Sequence, residues 1–239
     1  MVPSIYGAAM SIPSASPTDP PPEHRELVLA SQSPSRRRLL HAAGITPIVR
    51  ISEVLEPDVA AQLHSAHPSG RVPTGELALA LAEAKAADVV RQLCDERPEA
   101  VVVAADSLVD VQGVTMGKPS GPADAIKRLT AMSAASIDLI TGHCVIDLAT
   151  GRRSSAVRAT RVDFAALSAA EIQAYVASGE PLGVAGCFTL EGYAAPFIEH
   201  IEGDPSNVMG LSLPLLRRLL AEVGVSWLQI VDCAAASTP

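Results

Sequence analysis

The chain has 239 residues, and its 18 lysines and arginines stand against 26 aspartates and glutamates, which gives a formal net charge of −8 at pH 7. This balance excludes a basic nucleic-acid-binding surface as the default function, because duplex binding needs a positive footprint. Aromatic residues make up only 3 % of the chain, which argues against stacking platforms for single strands. Hydrophobic residues make up 48 %, enough for a sizeable aliphatic core.

Two further classes of protein are excluded by sequence patterns. No stretch approaches the ~18 consecutive apolar residues of a membrane helix, so no membrane partner is expected. The four cysteines stand far apart without a CxxC pair, which gives no support to a disulfide framework or a structural zinc site and favours a reducing cytoplasm. A homodimer is expected only because twofold-symmetric dimers are the commonest assemblies.

The first part of the chain divides into a tail and the start of a domain. Residues 1–24 are rich in proline, serine and alanine and are expected to be a disordered leader. Residues 25–233 are expected to form a single α/β domain, and residues 234–239 a frayed end. The domain begins with the apolar run 27–30, which predicts a buried strand.

A helix and a second strand are predicted next. Pro34 stands at a first helical position, and Gly44 is placed to end that helix. Residues 48–51 predict the second strand. Residues 57–73 hold several prolines and glycines among polar residues, and a loop is predicted there.

The central part of the chain continues the alternation of helix and strand. A helix is predicted from Thr74 to about Leu93, and residues 101–105 predict a buried strand that ends at Asp106. Residues 112–121 are predicted to form a turn region with glycine and proline. A helix over about 123–132 follows.

The second half is richer in strands. Residues 139–148 and 155–164 predict a hairpin. A capping-box pattern at Ser168 opens a helix that Gly179 closes. A leucine-rich helix over 214–223 precedes a last predicted strand over 227–231. Because strands and helices alternate without internal repeats, the fold class is α/β with a mixed sheet.

The predicted turn between the first strand and the first helix is the first candidate site. A helix N-terminus offers free backbone N–H groups and a positive dipole end, which suit a phosphate. Ser31 and Ser33 add hydroxyl donors, and Arg36 leads a run of guanidinium groups. The alternative is a capped surface helix with solvated arginines.

Lys85 is the second candidate. Steps of four residues along its helix give Leu77, Leu81, Lys85 and Val89, so the lysine lies in or beside the apolar stripe. A lysine in that position either extends its ammonium group to solvent or meets an anion in a cleft.

Asp106 and Lys118 are the third and fourth candidates. Asp106 follows an apolar strand, and ligands of open α/β sheets bind beyond the carboxyl ends of strands; an aspartate there is also an ordinary turn residue. Lys118 stands between Gly117 and Pro119, and a loop lysine is usually just solvated. Together these residues supply the arginine, lysines and acids that bind a polyphosphate with a divalent ion.

The chain resembles the Maf family of nucleoside triphosphate pyrophosphatases, also described as septum-formation inhibitor-like proteins. The matching segments occur in family order across residues 27–220, nearly the whole predicted domain. They are Leu29–Arg36, Ser52–Glu56, Ala84–Ala86, Ala105–Val109, Gly117–Pro119, Thr141–Gly142, Gly179–Pro181, Ala185–Gly186, Glu191–Gly192, Gly203–Asp204 and Asn207–Leu211.

The resemblance implies an α/β fold of two lobes around a central mixed sheet, with a cleft between them. It also implies hydrolysis of a nucleoside triphosphate between its α and β phosphates, with Mg²⁺ or Mn²⁺ as cofactor. Family roles transfer to the matched positions. Asp106 matches the proton acceptor and a metal ligand, and Glu56 matches a metal ligand. The basic phosphate-binding residues of the family match Arg36, Lys85 and Lys118. Its phosphate-facing hydroxyls match Ser31 and Ser33.

Some positions depart from the family pattern. The branch selective for dTTP and UTP has Arg, Thr and Gln where this chain has Ser35, Ser107 and Glu191, positions associated with base choice. Thymidine and uridine selectivity is therefore not expected, because an ionised Glu191 only accepts hydrogen bonds and favours a base edge with N–H donors. Leu55 and Ile137 depart from the family in metal or loop details.

The expected function is therefore a housecleaning pyrophosphatase that removes noncanonical nucleotides. A nucleotide-binding regulator of cell division without turnover is the alternative, and a phosphomonoesterase would release inorganic phosphate instead of pyrophosphate. The acids Glu56 and Asp106 favour the enzyme, since a pure binding module needs no group to activate water.

Overall fold

The computed structural model describes residues 23–68, 71–93 and 96–232. The expected frayed end and all but two residues of the expected leader lie outside them. The described strands are β1 (Leu27–Leu29), β2 (Ile48–Val49), β3 (Val101–Val111), β4 (Val114–Met116), β5 (Ser136–Asp147), β6 (Arg153–Phe164) and β7 (Ile198–Glu202). The described α-helices are α1 (Pro34–Ala42), α2 (Glu56–Ala66), α3 (Thr74–Leu93), α4 (Pro122–Met132), α5 (Ala169–Ala177), α6 (Pro205–Val208) and α7 (Leu213–Val223).

All described strands belong to one mixed sheet. Its order is β2-β1-β3-β5-β6-β7, and β4 pairs with β3 outside that path. The pairs that β1 makes with β2 and β3 are parallel, whereas the other pairs are antiparallel. The expected α/β class with a mixed sheet is confirmed. None of the described helices is both long enough and apolar enough to cross a bilayer.

The strand β3 extends well beyond its parallel neighbour. β1 pairs with β3 only from Val101 to Val103, while the pairing of β3 with β5 continues as far as Asp110. The edge of β3 that β1 leaves free opens into the cleft. Asp106 lies on this extension, in the middle of β3, so the expectation that it ends the strand is wrong. The strand continues because the residues after Asp106 keep pairing with β5.

The alternation of side chains along β3 decides which helix each residue faces. Ala104 and Leu108 pack in clusters with residues of α3, whereas Ala105 packs in the cluster formed with α1 and α7. Successive strand residues point to opposite faces of a sheet. Asp106 therefore faces α3, and Ser107 faces the side of α1.

The helix α3 lies unusually close to the sheet beside Asp106. Gly142 of β5 stands directly opposite Asp106 in the register. A Cβ atom on Gly142 would lie 2.2 Å from the backbone oxygen of Ala78 in α3. Only glycine permits this approach, which brings Lys85, two turns further along α3, over the extension of β3.

Two expectations about secondary structure are wrong. Residues 57–73 were expected to form a loop, but α2 covers Glu56–Ala66, with Pro57 in its first turn, where proline is compatible with a helix. None of the residues of α2 is buried, so its sequence lacks a strong apolar stripe. The expected last strand over 227–231 is a 3₁₀ turn at Trp227–Gln229, which begins with a capping box between Ser226 and Gln229. The short strands β4 and β7 were not predicted.

Candidate active site

A cavity of about 660 Å³ opens along the free edge of β3. Its volume is in the range of sites for small molecules. It is lined by the segment from β1 into α1, by the start of α2, and by loops around Lys118, Thr189 and Gly210. Nine of the site residues expected from the sequence line it together: Ser31, Ser33, Ser35, Arg36, Glu56, Lys85, Asp106, Ser107 and Lys118. Glu191 does not line the cavity but lies at its rim, as its contacts below show.

Arg36 is a buried cation at the centre of this cavity wall. Its side chain donates from Nε to the carbonyl oxygen of Gly210 at 2.6 Å. One terminal nitrogen donates to Ser31 Oγ at 2.9 Å and the other to Ser107 Oγ at 3.0 Å. The residue is only 8 % exposed. The expected alternative of a solvated surface arginine is wrong for this residue.

The charge of Arg36 is not neutralised by direct contact. No described carboxylate forms an ion pair with it, and its described hydrogen-bond partners are all neutral. Burial lowers the pKa of Arg36, and the nearby charges of Asp106 and Glu56 oppose that shift. A buried cation is stable only when it meets an anion or a full set of acceptors. The arrangement is suited to a phosphate.

Lys85 joins two carboxylates within the cavity. Its Nζ donates to Glu56 Oε1 at 2.6 Å and to Asp106 Oδ1 at 2.5 Å. The side chains of Lys85 and Asp106 are 15 % and 10 % exposed, and that of Glu56 is 57 % exposed. The ammonium group is therefore held in the cleft and does not extend into solvent. Burial raises the pKa of Asp106, and the positive charges of Lys85 and Arg36 act against that rise.

The two carboxylates are the residues that could hold a metal ion. They meet at one ammonium group, so their oxygens already lie within reach of a single cation. The described residues contain no group of three or more histidine, cysteine, aspartate or glutamate side chains arranged to bind a metal. Mg²⁺ is commonly held by one or two carboxylates, with waters and substrate phosphates completing the octahedron. The donor set fits a magnesium ion that arrives with a polyphosphate.

Lys118 extends from a fixed loop at the other side of the cavity. The carbonyl oxygen of Gly117 accepts hydrogen bonds from Arg128 Nη1 at 2.8 Å and from the Gly186 backbone at 3.3 Å. Lys118 is exposed, and within the described ranges its ammonium group has no hydrogen bond or ion pair. A cation held on an anchored loop and without a partner is available to a ligand.

The wall behind Arg36 depends on a buried histidine that the sequence reasoning missed. His143 Nε2 accepts a hydrogen bond from the Ser212 backbone at 2.8 Å, and Nδ1 lies 3.1 Å from the carbonyl oxygen of Thr141. Thr141 Oγ1 in turn lies 2.9 Å from Ser107 Oγ, which Arg36 contacts. Burial lowers the pKa of His143 to about 4. The imidazole is thus neutral and fixes the strand on which Thr141 lies.

The rim of the cavity contains Arg38, a member of the guanidinium run noted in the sequence, whose contact with Glu191 was not predicted. Arg38 Nη2 donates to Glu191 Oε2 at 2.7 Å and to Ser35 Oγ at 3.1 Å. Two of the positions associated with base choice are thereby joined by one guanidinium group. The spacing of Ser35 and Arg38 by three residues on a helix predicts their contact. No local pattern predicts the contact with Glu191, which is 153 positions away along the chain.

Comparisons with known proteins agree with this chemistry. A family model described as "Maf-like protein" matches residues 26–223. A nucleoside triphosphate pyrophosphatase of Streptomyces coelicolor is 51 % identical over 205 residues, which cover 85 % of this chain and 93 % of the relative. Proteins with the same name from Salinispora tropica and Thermosynechococcus vestitus are 48 % and 47 % identical. The matches cover 83 % and 82 % of this chain, and 84 % and 93 % of those relatives.

Proposed function

This chain belongs to the Maf-like protein family, and on that premise we propose that its cleft is the active site of a nucleoside triphosphate pyrophosphatase. The enzyme hydrolyses a nucleoside triphosphate between the α and β phosphates and releases a nucleoside monophosphate and pyrophosphate. One observation of the structure supports this most strongly. A buried arginine, which has no carboxylate partner among the described residues, lies in the same cavity as a pair of carboxylates.

The residues of the cleft have separate roles in this reaction. Arg36, Lys85 and Lys118 screen the negative charge of the triphosphate, which otherwise repels any nucleophile. Asp106 accepts the proton of the attacking water, a role supported by its position as a buried carboxylate in the cavity wall, where burial raises its pKa. Lys85 holds the Asp106 carboxylate in place between substrate and helix α3.

We propose that a divalent cation, Mg²⁺ or Mn²⁺, accompanies the substrate. Glu56 and Asp106 are the residues that would hold it, as their convergence on one ammonium group supports. When bound, such an ion neutralises phosphate charge and lowers the pKa of its coordinated water.

The biological role and the base preference are part of the same proposal. A housecleaning function fits a site that reads its base through few residues. Ser35, Ser107 and Glu191 in place of Arg, Thr and Gln support a guanine- or cytosine-type substrate that competes at least equally with dTTP and UTP. The buried free thiols of Cys144 and Cys187 fit a reducing cytoplasm.

The decisive experiment identifies both products of the reaction. The purified protein is assayed against canonical and modified nucleoside triphosphates with Mg²⁺ or Mn²⁺, and the nucleotide and phosphate products are quantified. The expected result is a monophosphate and pyrophosphate in equal amounts. Release of inorganic phosphate would indicate a phosphomonoesterase, and binding without turnover would indicate a regulator of cell division.

A matched pair of variants tests the role of Asp106. Asp106→Asn should reduce turnover ~10²-fold or more, the range for loss of a general base. Asp138→Asn is the control, because it removes an exposed carboxylate of the neighbouring strand β5 that does not line the cavity. Near-native turnover of Asp106→Asn would show that another group activates the water.

A further inference from the structure

We propose that Arg38 determines nucleobase preference by holding the Glu191 carboxylate at the rim of the cleft, an inference that rests on the proposed function. Arg38 is a positioning residue in this proposal: it acts on the base through Glu191. It does not line the cavity itself, and the relevant observation is that one guanidinium nitrogen bridges Ser35 and Glu191.

The bridge joins two separate parts of the chain across the rim. Ser35 and Arg38 lie one turn apart on α1, while Glu191 lies in the loop that follows the 3₁₀ turn at Ala185–Cys187. The side chain of Arg38 is 57 % exposed and that of Glu191 is 23 % exposed. Ser35 lines the cavity, so the bridge places the carboxylate next to the space that a ligand occupies.

The backbone of the loop around Glu191 is anchored independently. The Glu180 carboxylate accepts hydrogen bonds from the backbone N–H of Tyr193 at 3.0 Å and from the hydroxyl of Tyr175 at 3.0 Å. A Cβ atom on Gly192 would lie 2.1 Å from Glu180 Oε2, so the Glu180 carboxylate packs directly against the backbone of this loop. With the backbone fixed, the remaining freedom at this position is the rotation of the Glu191 side chain, which Arg38 removes.

The ion pair leaves a defined hydrogen-bond acceptor for the base. Arg38 occupies Oε2 of Glu191, and Oε1 has no hydrogen bond within the part of the chain that the structure describes. Guanine presents two adjacent donors, N1–H and the N2 amine, to such an acceptor, whereas the N–H of uracil is flanked by two carbonyl oxygens that a carboxylate repels. A fixed Glu191 therefore favours guanine over uracil.

The ion pair between Arg38 and Glu191 also reduces the electrostatic repulsion between the rim and the anionic substrate. An unpaired carboxylate at the mouth of the cleft would repel an anionic triphosphate. Paired with the guanidinium group of Arg38, the carboxylate adds no net charge. Removal of Arg38 therefore exposes a repulsive charge and lets the acceptor turn away from the base.

Equilibrium binding separates this inference from the proposed catalytic function. The affinities of the α,β-methylene analogues of GTP and UTP are measured by calorimetry for the wild type, Arg38→Ala, Glu191→Ala and the double variant. Arg37→Ala is the control, because Arg37 is an exposed neighbour on the same helix and does not line the cavity. The analogues resist cleavage between the α and β phosphates, so the binding result does not depend on turnover.

Arg38→Ala should lower the ratio of GTP-analogue to UTP-analogue affinity about two- to fivefold, the range of a partly exposed ion pair. The double variant should bind with the same ratio as Glu191→Ala alone, because Arg38 acts only through that residue. Arg37→Ala should leave the ratio unchanged. An unchanged ratio in Arg38→Ala, or effects that add in the double variant, would overturn the inference. Absence of turnover with natural triphosphates would instead overturn the proposed function.

Discussion

Acidification should destabilise this protein through His143. The imidazole is fully buried, and its pKa falls from 6.5 to about 4, first because of burial and second because of the positive charge of Arg36. The folded state therefore keeps the ring neutral at a pH at which the unfolded chain already protonates it. The contribution to stability is complete above about pH 6.5, is lost as the pH falls toward 4, and does not change further below that.

The size of the effect follows from the two pKa values. Linkage gives a loss of about 2 kcal/mol between pH 7.5 and pH 5, and about 3 kcal/mol once the pH is below the folded pKa. A loss of 2 kcal/mol is a large part of the ~5–15 kcal/mol that holds a typical domain folded. His143 contacts the carbonyl oxygen of Thr141, whose hydroxyl contacts Ser107, so its protonation adds a charge next to the wall that holds Arg36.

Urea unfolding of the wild type and of His143→Gln at pH 7.5, 6 and 5 isolates the contribution of His143 to the pH dependence of stability. Glutamine can replace both hydrogen bonds but does not titrate. The free energy of unfolding of the wild type should fall by about 2 kcal/mol more than that of the variant between pH 7.5 and 5. His41→Gln, which removes an exposed histidine from α1, should follow the wild type. Parallel pH profiles of the wild type and His143→Gln would refute the reasoning.

Three further predictions concern the cleft. Lys118→Ala should raise KM for the triphosphate ~10-fold or more without a change in Tm, because it removes one charge-assisted contact. Lys85→Ala should lower both turnover and Tm, because it leaves buried Asp106 without its partner. Equal effects of the two variants on Tm would contradict this prediction. Gly142→Ala should push α3 away from the sheet, lower the free energy of unfolding measured with denaturant by ~1–3 kcal/mol or more, and lower activity. A variant as stable as the wild type would disprove the close approach of α3 to β5. Glu191→Gln should raise the ratio of UTP to GTP turnover, and an unmoved ratio in a wild type that prefers dTTP and UTP would exclude Glu191 from base choice.

Local sequence patterns predicted the elements of the fold whose apolar residues recur at a regular spacing. The helix Thr74–Leu93 was predicted with the bounds that the structure shows, because its apolar residues recur at helical spacing. The helix α2 was missed because none of its residues is fully buried, so its apolar pattern is too weak to predict a helix. The turn at Trp227–Gln229 was mistaken for a strand because a short apolar run looks the same in both.

Some features of the candidate site were also predictable from the sequence, and others were not. The spacing of Leu81, Lys85 and Val89 placed the lysine on the core-facing side of α3, where the structure has it. The contacts that fix the site depend on tertiary structure instead. Arg38 meets Glu191, and His143 meets Ser212, only after the sheet and the loops around it have formed. No local pattern contains that information.

The position of the cleft follows from the unequal lengths of two parallel strands. β1 has three residues and β3 has eleven, so β3 runs on past the end of its neighbour. On this extension, consecutive residues face opposite sides of the sheet. Asp106 meets the cation of α3, and Ser107 meets the buried arginine of α1. The proposed base and the hydroxyl that contacts the proposed phosphate-binding arginine are thereby neighbours on one strand, which is buried over most of its length. Both residues line the same cavity, although their side chains belong to opposite faces of the sheet.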